Sequence, residues 1–194
     1  MPKKIAITGG IGSGKSTVAK YIKEQGIPVF SCDEINRRLW EESEFLSLLS
    51  KVFPSACKEG KIQKEALKAL VFSDEAELSK LNKIAHPKIM KKLMKDIEAC
   101  DSPLVFAEVP LLFEGGYESR FDGIIVVLRN KESRVRAVEK RDHLTQKEIL
   151  ARIERQYNYR EFEKPFQKQN FFILKNDGDL PALKISINEI LKQL

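Results

Sequence analysis

The feature that most restricts the fold of this chain is a glycine-rich stretch at residues 9–17. It has Gly9, four residues of any type, and then Gly14, Lys15 and Ser16, which is the pattern of a phosphate-binding loop, or P-loop. Glycines let the backbone turn so that successive N–H groups point inward at a polyphosphate. In such a loop Lys15 reaches the β- and γ-phosphates, and the Ser16 hydroxyl takes one position around Mg²⁺. The pattern therefore predicts a nucleoside triphosphate site.

The residues on either side of the loop predict a strand-loop-helix unit. Residues 3–8 form a short, mostly apolar run that is typical of a buried strand. Val18, Ala19 and Ile22 then recur at helical spacing, and Gly26 stands where a glycine commonly ends a helix. In this unit the positive end of the helix dipole points at the bound phosphates.

Four further strands are predicted, at residues 27–31, 103–109, 124–128 and 171–174. The run at 124–128 is apolar throughout, as expected for a central parallel strand that is buried on both faces. An amphipathic helix over residues 180–191 closes the chain. This order of elements predicts an α/β protein, a P-loop three-layer fold with a five-stranded parallel sheet.

Between the second and third strands, residues 35–100 carry helical periodicity and no strand signal. His86 and Pro87 predict a break within this segment, because proline ends or restarts a helix. We interpret the segment as a helical insertion that carries the second substrate. The alternative is a helical layer with a purely structural role.

The segment from Arg129 to Lys164 is rich in charge, with eleven Lys or Arg against seven Asp or Glu. Seven of the ten arginines of the chain lie here, and arginine favours bidentate contact with phosphate. The capping-box pattern of Thr145 and Glu148 predicts a helix start, so the segment reads as two helices with a turn between them. Such a pair could close over a nucleotide as a lid, and a merely solvated helix pair is the alternative.

Asp33 follows the second predicted strand at its carboxyl end. Open α/β sheets bind their ligands beyond the carboxyl ends of the strands, so this carboxylate lies where chemistry is expected. The alternative interpretation is an N-cap for a helix that begins near Glu34. The two roles are compatible.

Composition and missing motifs narrow the class of P-loop protein. The formal charge of +6 is modest, and the basic excess is confined to one helix pair, which disfavours a nucleic-acid-dependent ATPase. Glu132 and Ser133 follow Asn130-Lys131, so the guanine motif of a GTPase switch is not present there. Three widely spaced cysteines and the lack of a long apolar segment predict a cytoplasmic protein with reduced thiols and no membrane contact. A small-molecule kinase fits best.

Several motifs, taken together and in order, resemble the dephospho-coenzyme A kinase family. The resemblance runs nearly end to end and rests on residues 8–17, Asp33, His86-Pro87-Lys88-Ile89, Pro110-Leu111-Leu112-Phe113-Glu114, Arg141-Asp142, Arg152-Ile153, Gln156, residues 173–176 and Gly178. It implies phosphorylation of the ribose 3′-hydroxyl of dephospho-coenzyme A with ATP and Mg²⁺, the last step of coenzyme A synthesis. It also implies a nucleotide-binding core (residues 1–34, 101–128 and 166–194), an acceptor-binding insertion (35–100) and a lid (129–165).

The resemblance also implies roles for single residues. Asp33 corresponds to the catalytic base and Arg141 to the lid arginine, while the ATP-binding loop corresponds to Gly12, Ser13, Gly14, Lys15, Ser16 and Thr17. Asn176 lies in the adenine-side turn, and the stretches that border the acceptor site contain His86, Leu112 and Phe113. For His86 a capping or packing role is the alternative. The expected partners are the two small-molecule substrates, with no nucleic acid or membrane, and a monomer is favoured.

The chain departs from the family pattern at three positions. Ser31-Cys32-Asp33 stands where the family usually has Asp-Ala-Asp, so only the second carboxylate is present. Ala137 stands where an arginine is common. The neighbouring Arg136 is an alternative source of that charge, although a helix turns it about 100° away. Asn170 takes the place of an aspartate before the last strand.

Overall fold

The computed structural model describes residues 1–163 and 170–194, which form two compact units. One unit comprises Met1–Phe30 with Cys100–Leu194, and the other comprises Ser31–Ala99. The predicted boundary between lid and core, at residues 165 and 166, lies outside the described residues. Along the chain the elements are β1 (Lys3–Thr8), α1 (Lys15–Glu24), β2 (Val29–Ser31), α2 (Cys32–Leu39), α3 (Ser43–Val52), β3 (Cys57–Lys58), β4 (Lys61–Ile62), α4 (Lys64–Ser73), α5 (Glu75–Glu98), β5 (Leu104–Glu108), β6 (Gly123–Leu128), α6 (Lys131–Asp142), α7 (Gln146–Glu154), β7 (Phe171–Lys175) and α8 (Leu180–Leu191).

The main sheet has five strands in the order β2-β5-β1-β6-β7. β1 pairs in parallel with β5 on one side, where Ile7 lies opposite Glu108, and with β6 on the other, where Thr8 lies opposite Val126. β6 also pairs in parallel with β7. This confirms the α/β class and the five-stranded parallel sheet, and it puts the strand that leads into the P-loop at the centre.

One core cluster of the first unit lies between the sheet and two helices. Ile5, Ile7 and Phe106 on the strands pack in one cluster with Val18 and Ile22 of α1 and with Leu183 and Ile187 of α8. All six residues of β6 are buried, as the apolar run predicted. Gly26 has a φ of +81° just after α1, which confirms the predicted glycine at the helix end.

The second unit is mainly helical, and two predictions for it were wrong. A short antiparallel hairpin of β3 and β4 was missed, because each strand has only two residues and the turn at Glu59 and Gly60 is marked by positive φ rather than by an apolar pattern. The break at His86-Pro87 is also wrong, since α5 continues through Pro87. Proline costs a helix about 3 kcal/mol, and the buried face on both sides of Pro87 offsets that cost, with Ala85, Met90, Leu93 and Ile97 in the core.

The charged segment folds as predicted into two helices, α6 and α7, joined by a short turn. The Thr145 side chain accepts a hydrogen bond from the Glu148 N–H, and the Glu148 carboxylate accepts one from the Thr145 N–H, so the capping box is confirmed. The two helices share a small apolar cluster of Val135, Val138 and Ile149. Within the described residues, no helix has both the length and the apolar character needed to span a bilayer.

Candidate active site

The loop between β1 and α1 is held in its curled shape by glycines that have no substitute. Gly12 and Gly14 have φ values of +76° and +97°, which L side chains rarely adopt. A Cβ on Gly12 would lie 2.6 Å from the Arg134 carbonyl oxygen, and one on Gly14 would lie 2.2 Å from Asn176 Nδ2. Gly14 is also the N-cap of α1, so the first N–H groups of this helix remain available to an anion.

Lys15 lies against the loop that it follows in sequence. Its Nζ donates hydrogen bonds to the carbonyl oxygens of Gly9 at 2.9 Å and Gly10 at 3.2 Å. These bonds hold the ammonium group beside the same backbone whose N–H groups form the phosphate cradle. The predicted loop residues therefore come together as one positively polarised surface.

Glu108 is a site residue that the sequence analysis missed. It ends β5, is 8% exposed, and its Oε1 accepts a 2.8 Å hydrogen bond from the Ser16 hydroxyl. A carboxylate at the carboxyl end of an otherwise apolar strand, on the strand next to β1, was the signal that could have identified it. Hydroxyl and carboxylate oxygens are the hard donors that Mg²⁺ prefers, so this pair fits a magnesium site.

The turn after β7 is hydrogen-bonded to the P-loop. Asn176 is buried, and its Nδ2 donates a 2.8 Å hydrogen bond to the Ser13 carbonyl oxygen. Asp177 Oδ1 accepts from both the backbone N–H and the side chain of Asn130, which caps α6. Asn176 is thus fixed to the P-loop itself, while its predicted place beside an adenine stays a prediction.

Arg134 of α6 and Gln156, which follows α7, contact the P-loop at Ile11. The Ile11 N–H donates to Gln156 Oε1 at 2.7 Å, and its carbonyl accepts from Arg134 Nε at 2.9 Å. Its side chain packs against the apolar cluster of α6 and α7. In the loop pattern this position accepts any residue, so its structural importance was not visible in the sequence.

A cluster of aromatic rings lies beside the same loop. The Phe113 ring stacks on Tyr157 with centroids 4.6 Å apart and on Phe162 at 5.3 Å. The hydroxyls of Tyr159 and Thr8 lie 3.2 Å apart, and burial raises the pKa of Tyr159 to about 12. Phe113 thus contacts other rings of the protein, and Leu112, at 0% exposed, lies in the core. Their predicted place at the acceptor site stays a prediction.

Arg141 is exposed at the end of α6. Its guanidinium forms a fork on the Asp142 carboxylate, with Nε to Oδ1 at 2.7 Å and Nη2 to Oδ2 at 2.8 Å. This contact holds the pKa of Asp142 below its ordinary value. A guanidinium that donates two parallel hydrogen bonds to a carboxylate can bind two oxygens of a phosphate in the same way.

In the second unit, the alternative interpretation of Asp33 as an N-cap is wrong. α2 begins at Cys32, and the N-cap is Ser31, whose Oγ accepts from the Glu34 N–H at 3.4 Å. Asp33 is an exposed residue in the first turn, and its carboxylate has no hydrogen bond or ion pair within residues 1–163 and 170–194. His86 lies partly buried in the middle of α5 and does not cap a helix.

A cavity of about 440 Å³ opens beside the P-loop in the first unit. The loop contributes Gly10 and Ser13 to its wall, and the Ser13 hydroxyl is buried with no hydrogen-bond partner in the part of the chain that the structure describes. The remaining wall is rich in hydrogen-bond donors, with Arg129, Lys131, Arg134, Gln156 and Asn158. A polar wall of this kind suits a phosphorylated ligand.

A P-loop at the carboxyl edge of a five-stranded parallel sheet, with a basic helix pair fixed to it, defines a P-loop kinase. The family model described as CoaE, dephospho-CoA kinase, matches residues 3–182. The dephospho-CoA kinase of Thermus thermophilus is 39% identical over 193 residues, which are 100% of this chain and 92% of that protein. The chain therefore belongs to the dephospho-CoA kinase family.

Solved structures agree with this assignment. The crystal structure of TT1252 from Thermus thermophilus matches with a TM-score of 0.83 at 39% identity, over 100% of this chain and 98% of that one. Dephospho-CoA kinase from Campylobacter jejuni matches with a TM-score of 0.70 at 27% identity, over 100% and 97% of the two chains. The family resemblance and the enzyme class expected from the sequence are confirmed.

Proposed function

We propose that this chain transfers the γ-phosphoryl group of ATP to the ribose 3′-hydroxyl of dephospho-coenzyme A, the final step of coenzyme A biosynthesis. Membership of the dephospho-CoA kinase family supports the reaction and the use of ATP. The observation that supports roles for single residues is the geometry at the start of α1. There Lys15 contacts the backbone of the P-loop, and Ser16 donates a hydrogen bond to Glu108.

The loop is the phosphate-binding part of the mechanism. Its N–H groups and the Lys15 ammonium bind the β- and γ-phosphates of ATP in one orientation. During transfer, negative charge spreads over the oxygens of the migrating phosphoryl group, and fixed donors at this place stabilise it. The Lys15 Nζ lies beside the loop backbone, 2.9 and 3.2 Å from the carbonyl oxygens of Gly9 and Gly10, so a small shift brings it to a phosphate oxygen.

Ser16 and Glu108 are the residues that would hold Mg²⁺. Their oxygen atoms suit this ion, and together they add one negative charge to a site that is otherwise positively polarised. When bound, the ion neutralises charge on the phosphate chain. Asn176 contributes by holding the Ser13 carbonyl, which keeps the loop in its binding shape.

Asp33 is the proposed base for the acceptor hydroxyl. Its carboxylate is exposed and has no partner among the described residues, so it can accept a proton from an incoming alcohol. It follows the carboxyl end of β2, and sheets of this class bind their ligands along that edge. A loose transition state needs the proton removed only late, so an ordinary carboxylate suffices.

The remaining assignments extend the same proposal. Arg141 stabilises the transferring phosphoryl group from the lid, residues 129–165, of which 164 and 165 lie outside the described residues. The insertion at residues 35–100 binds the acceptor with His86, while Leu112 and Phe113 shape the acceptor site from the core. We further propose that the protein acts in the cytoplasm as a monomer.

A coupled assay of ADP release tests this function across chemically different acceptors. Wild-type protein is supplied with ATP and Mg²⁺, and separately with dephospho-coenzyme A, adenosine, a nucleoside monophosphate or shikimate. We expect rapid ADP release with dephospho-coenzyme A and only slow background hydrolysis with the others. Equal release with every acceptor, or none with dephospho-coenzyme A, would contradict the proposal.

A further inference from the structure

Gln156, in the proposed lid, contacts the P-loop directly. Its Oε1 accepts the 2.7 Å hydrogen bond from the Ile11 N–H, two residues beyond the first loop glycine. Ile11 is held at two other points, by Arg134 Nε on its carbonyl and by the α6–α7 cluster around its side chain. The position of the Gln156 amide relative to the loop is therefore fixed by more than a single bond.

A carboxamide has donors as well as an acceptor, and here only the acceptor is used. Within residues 1–163 and 170–194 the two Nε2 hydrogens of Gln156 have no hydrogen-bond partner. The side chain is half-buried and lines the cavity of about 440 Å³ that also includes Gly10 and Ser13 of the loop. The two hydrogen-bond donors of Gln156 therefore belong to the wall of the cavity in which the P-loop would hold the phosphate chain of a nucleotide.

We infer that Gln156 is a phosphate-contacting residue, whose amide oxygen holds the Ile11 N–H while its nitrogen donates to a phosphate oxygen of the bound nucleotide. The inference rests on the proposed function only in taking the nucleotide to be a triphosphate. One planar group would then bind the P-loop and its nucleotide at the same time. The position of the proposed lid would therefore depend on whether a nucleotide is bound to the loop. An amide suits this double task because it is neutral and offers both an acceptor and donors.

The chemistry of the carboxylate analogue makes the inference testable. Gln156→Glu keeps the size of the side chain and an oxygen that accepts from Ile11, but it replaces the donors with a negative charge. If the residue served only to hold the loop and its nitrogen lay away from the phosphates, this variant would bind ATP like wild type. If the nitrogen contacts a phosphate, the variant loses a charge-assisted hydrogen bond and gains a repulsion.

The experiment measures binding of ATP and of adenosine to wild type, Gln156→Glu and Gln156→Ala, with thermal melting as a check of folding. Gln146→Glu is the matched control, because it makes the same change at an exposed position of α7. We expect ATP affinity to fall about 10- to 100-fold in Gln156→Glu. Adenosine affinity should stay the same, since adenosine has no phosphate, and Gln146→Glu should match wild type for both ligands.

ATP affinity of Gln156→Glu within twofold of wild type would overturn the inference, and so would an equal loss of adenosine binding. Because no acceptor is present in these measurements, they judge Gln156 even if dephospho-coenzyme A proves not to be the substrate. Failure of the acceptor assay with normal ATP binding would instead count against the proposed function alone.

Discussion

The Ser16 hydroxyl donates a 2.8 Å hydrogen bond to Glu108 Oε1, which joins the first turn of α1 to the carboxyl end of β5. Ser16 belongs to the loop pattern, whereas Glu108 lies 92 residues further along the chain. The contact is possible because β5 pairs with β1, so that Glu108 lies opposite Ile7 just before the loop. The sheet order therefore brings together the two side chains of the proposed cation site.

Replacing Glu108 with glutamine should weaken the response to Mg²⁺. The variant keeps the shape and the hydrogen bond to Ser16 but removes the negative charge, so the Mg²⁺ concentration for half-maximal activity should rise by at least about tenfold. ADP release titrated with Mg²⁺ measures the change. Glu98→Gln, an equivalent change at an exposed position of α5, serves as the control and should leave the titration unchanged. An unchanged midpoint in Glu108→Gln would exclude this carboxylate from the cation site.

Replacing Arg141 with alanine should lower turnover more than ATP affinity. The guanidinium is exposed and bound to its neighbour Asp142, so its removal should change the binding of ATP in the ground state only little. The transition state, by contrast, loses a positive charge that stabilises the transferring phosphoryl group. We expect kcat to fall about 10²-fold, measured beside the dissociation constant for ATP. Lys140→Ala removes an adjacent exposed charge and should change both values much less. Equal losses of ATP affinity and of turnover in Arg141→Ala would mean that the arginine contributes to ATP binding and not specifically to the transition state.

The sequence predicted the parts of the fold that depend on local patterns. β1, the P-loop, the apolar β6 and the capping box at Thr145 each have a signature within ten residues or fewer, and each is present. The continuous α5 could not be predicted locally, because the penalty of Pro87 is outweighed by a buried face that only the folded unit shows. The contacts of Glu108 with Ser16 and of Gln156 with Ile11 could not be predicted for the same reason, since the partners are 92 and 145 residues apart.

Tyr159 should make stability depend on alkaline pH. Burial raises its pKa to about 12 from the ordinary value of 10.0, so the folded protein favours the neutral phenol. The resulting stabilisation is complete below pH 10 and is lost as the pH rises through about 12, by roughly 2 to 3 kcal/mol. Wild type should therefore lose free energy of unfolding over this range, while Tyr159→Phe should lose less and retain the part that comes from Tyr157.

Urea denaturation at several pH values between 8 and 12 measures this dependence. At pH 8 the phenylalanine variant should be less stable by about 1 kcal/mol, because it lacks the hydrogen bond to Thr8. The difference between the two proteins should shrink as the pH rises and change sign near about pH 11, because only wild type loses the stabilisation from this phenol. Tyr117→Phe is the control and should follow the wild-type curve. Parallel curves for wild type and Tyr159→Phe would contradict the role of the buried phenol.

The most direct test of the whole account is the turnover of Asp33→Asn with ATP and dephospho-coenzyme A, measured together with ATP binding. Asparagine keeps the size of the side chain but cannot take up the proton, so we predict a fall in kcat of about 10²- to 10⁴-fold with ATP affinity unchanged. Glu34→Gln makes the matching change one residue away in the same exposed turn and should keep wild-type turnover. Turnover of Asp33→Asn within tenfold of wild type would contradict the claim that this carboxylate prepares the acceptor hydroxyl for the phosphoryl group held by the loop.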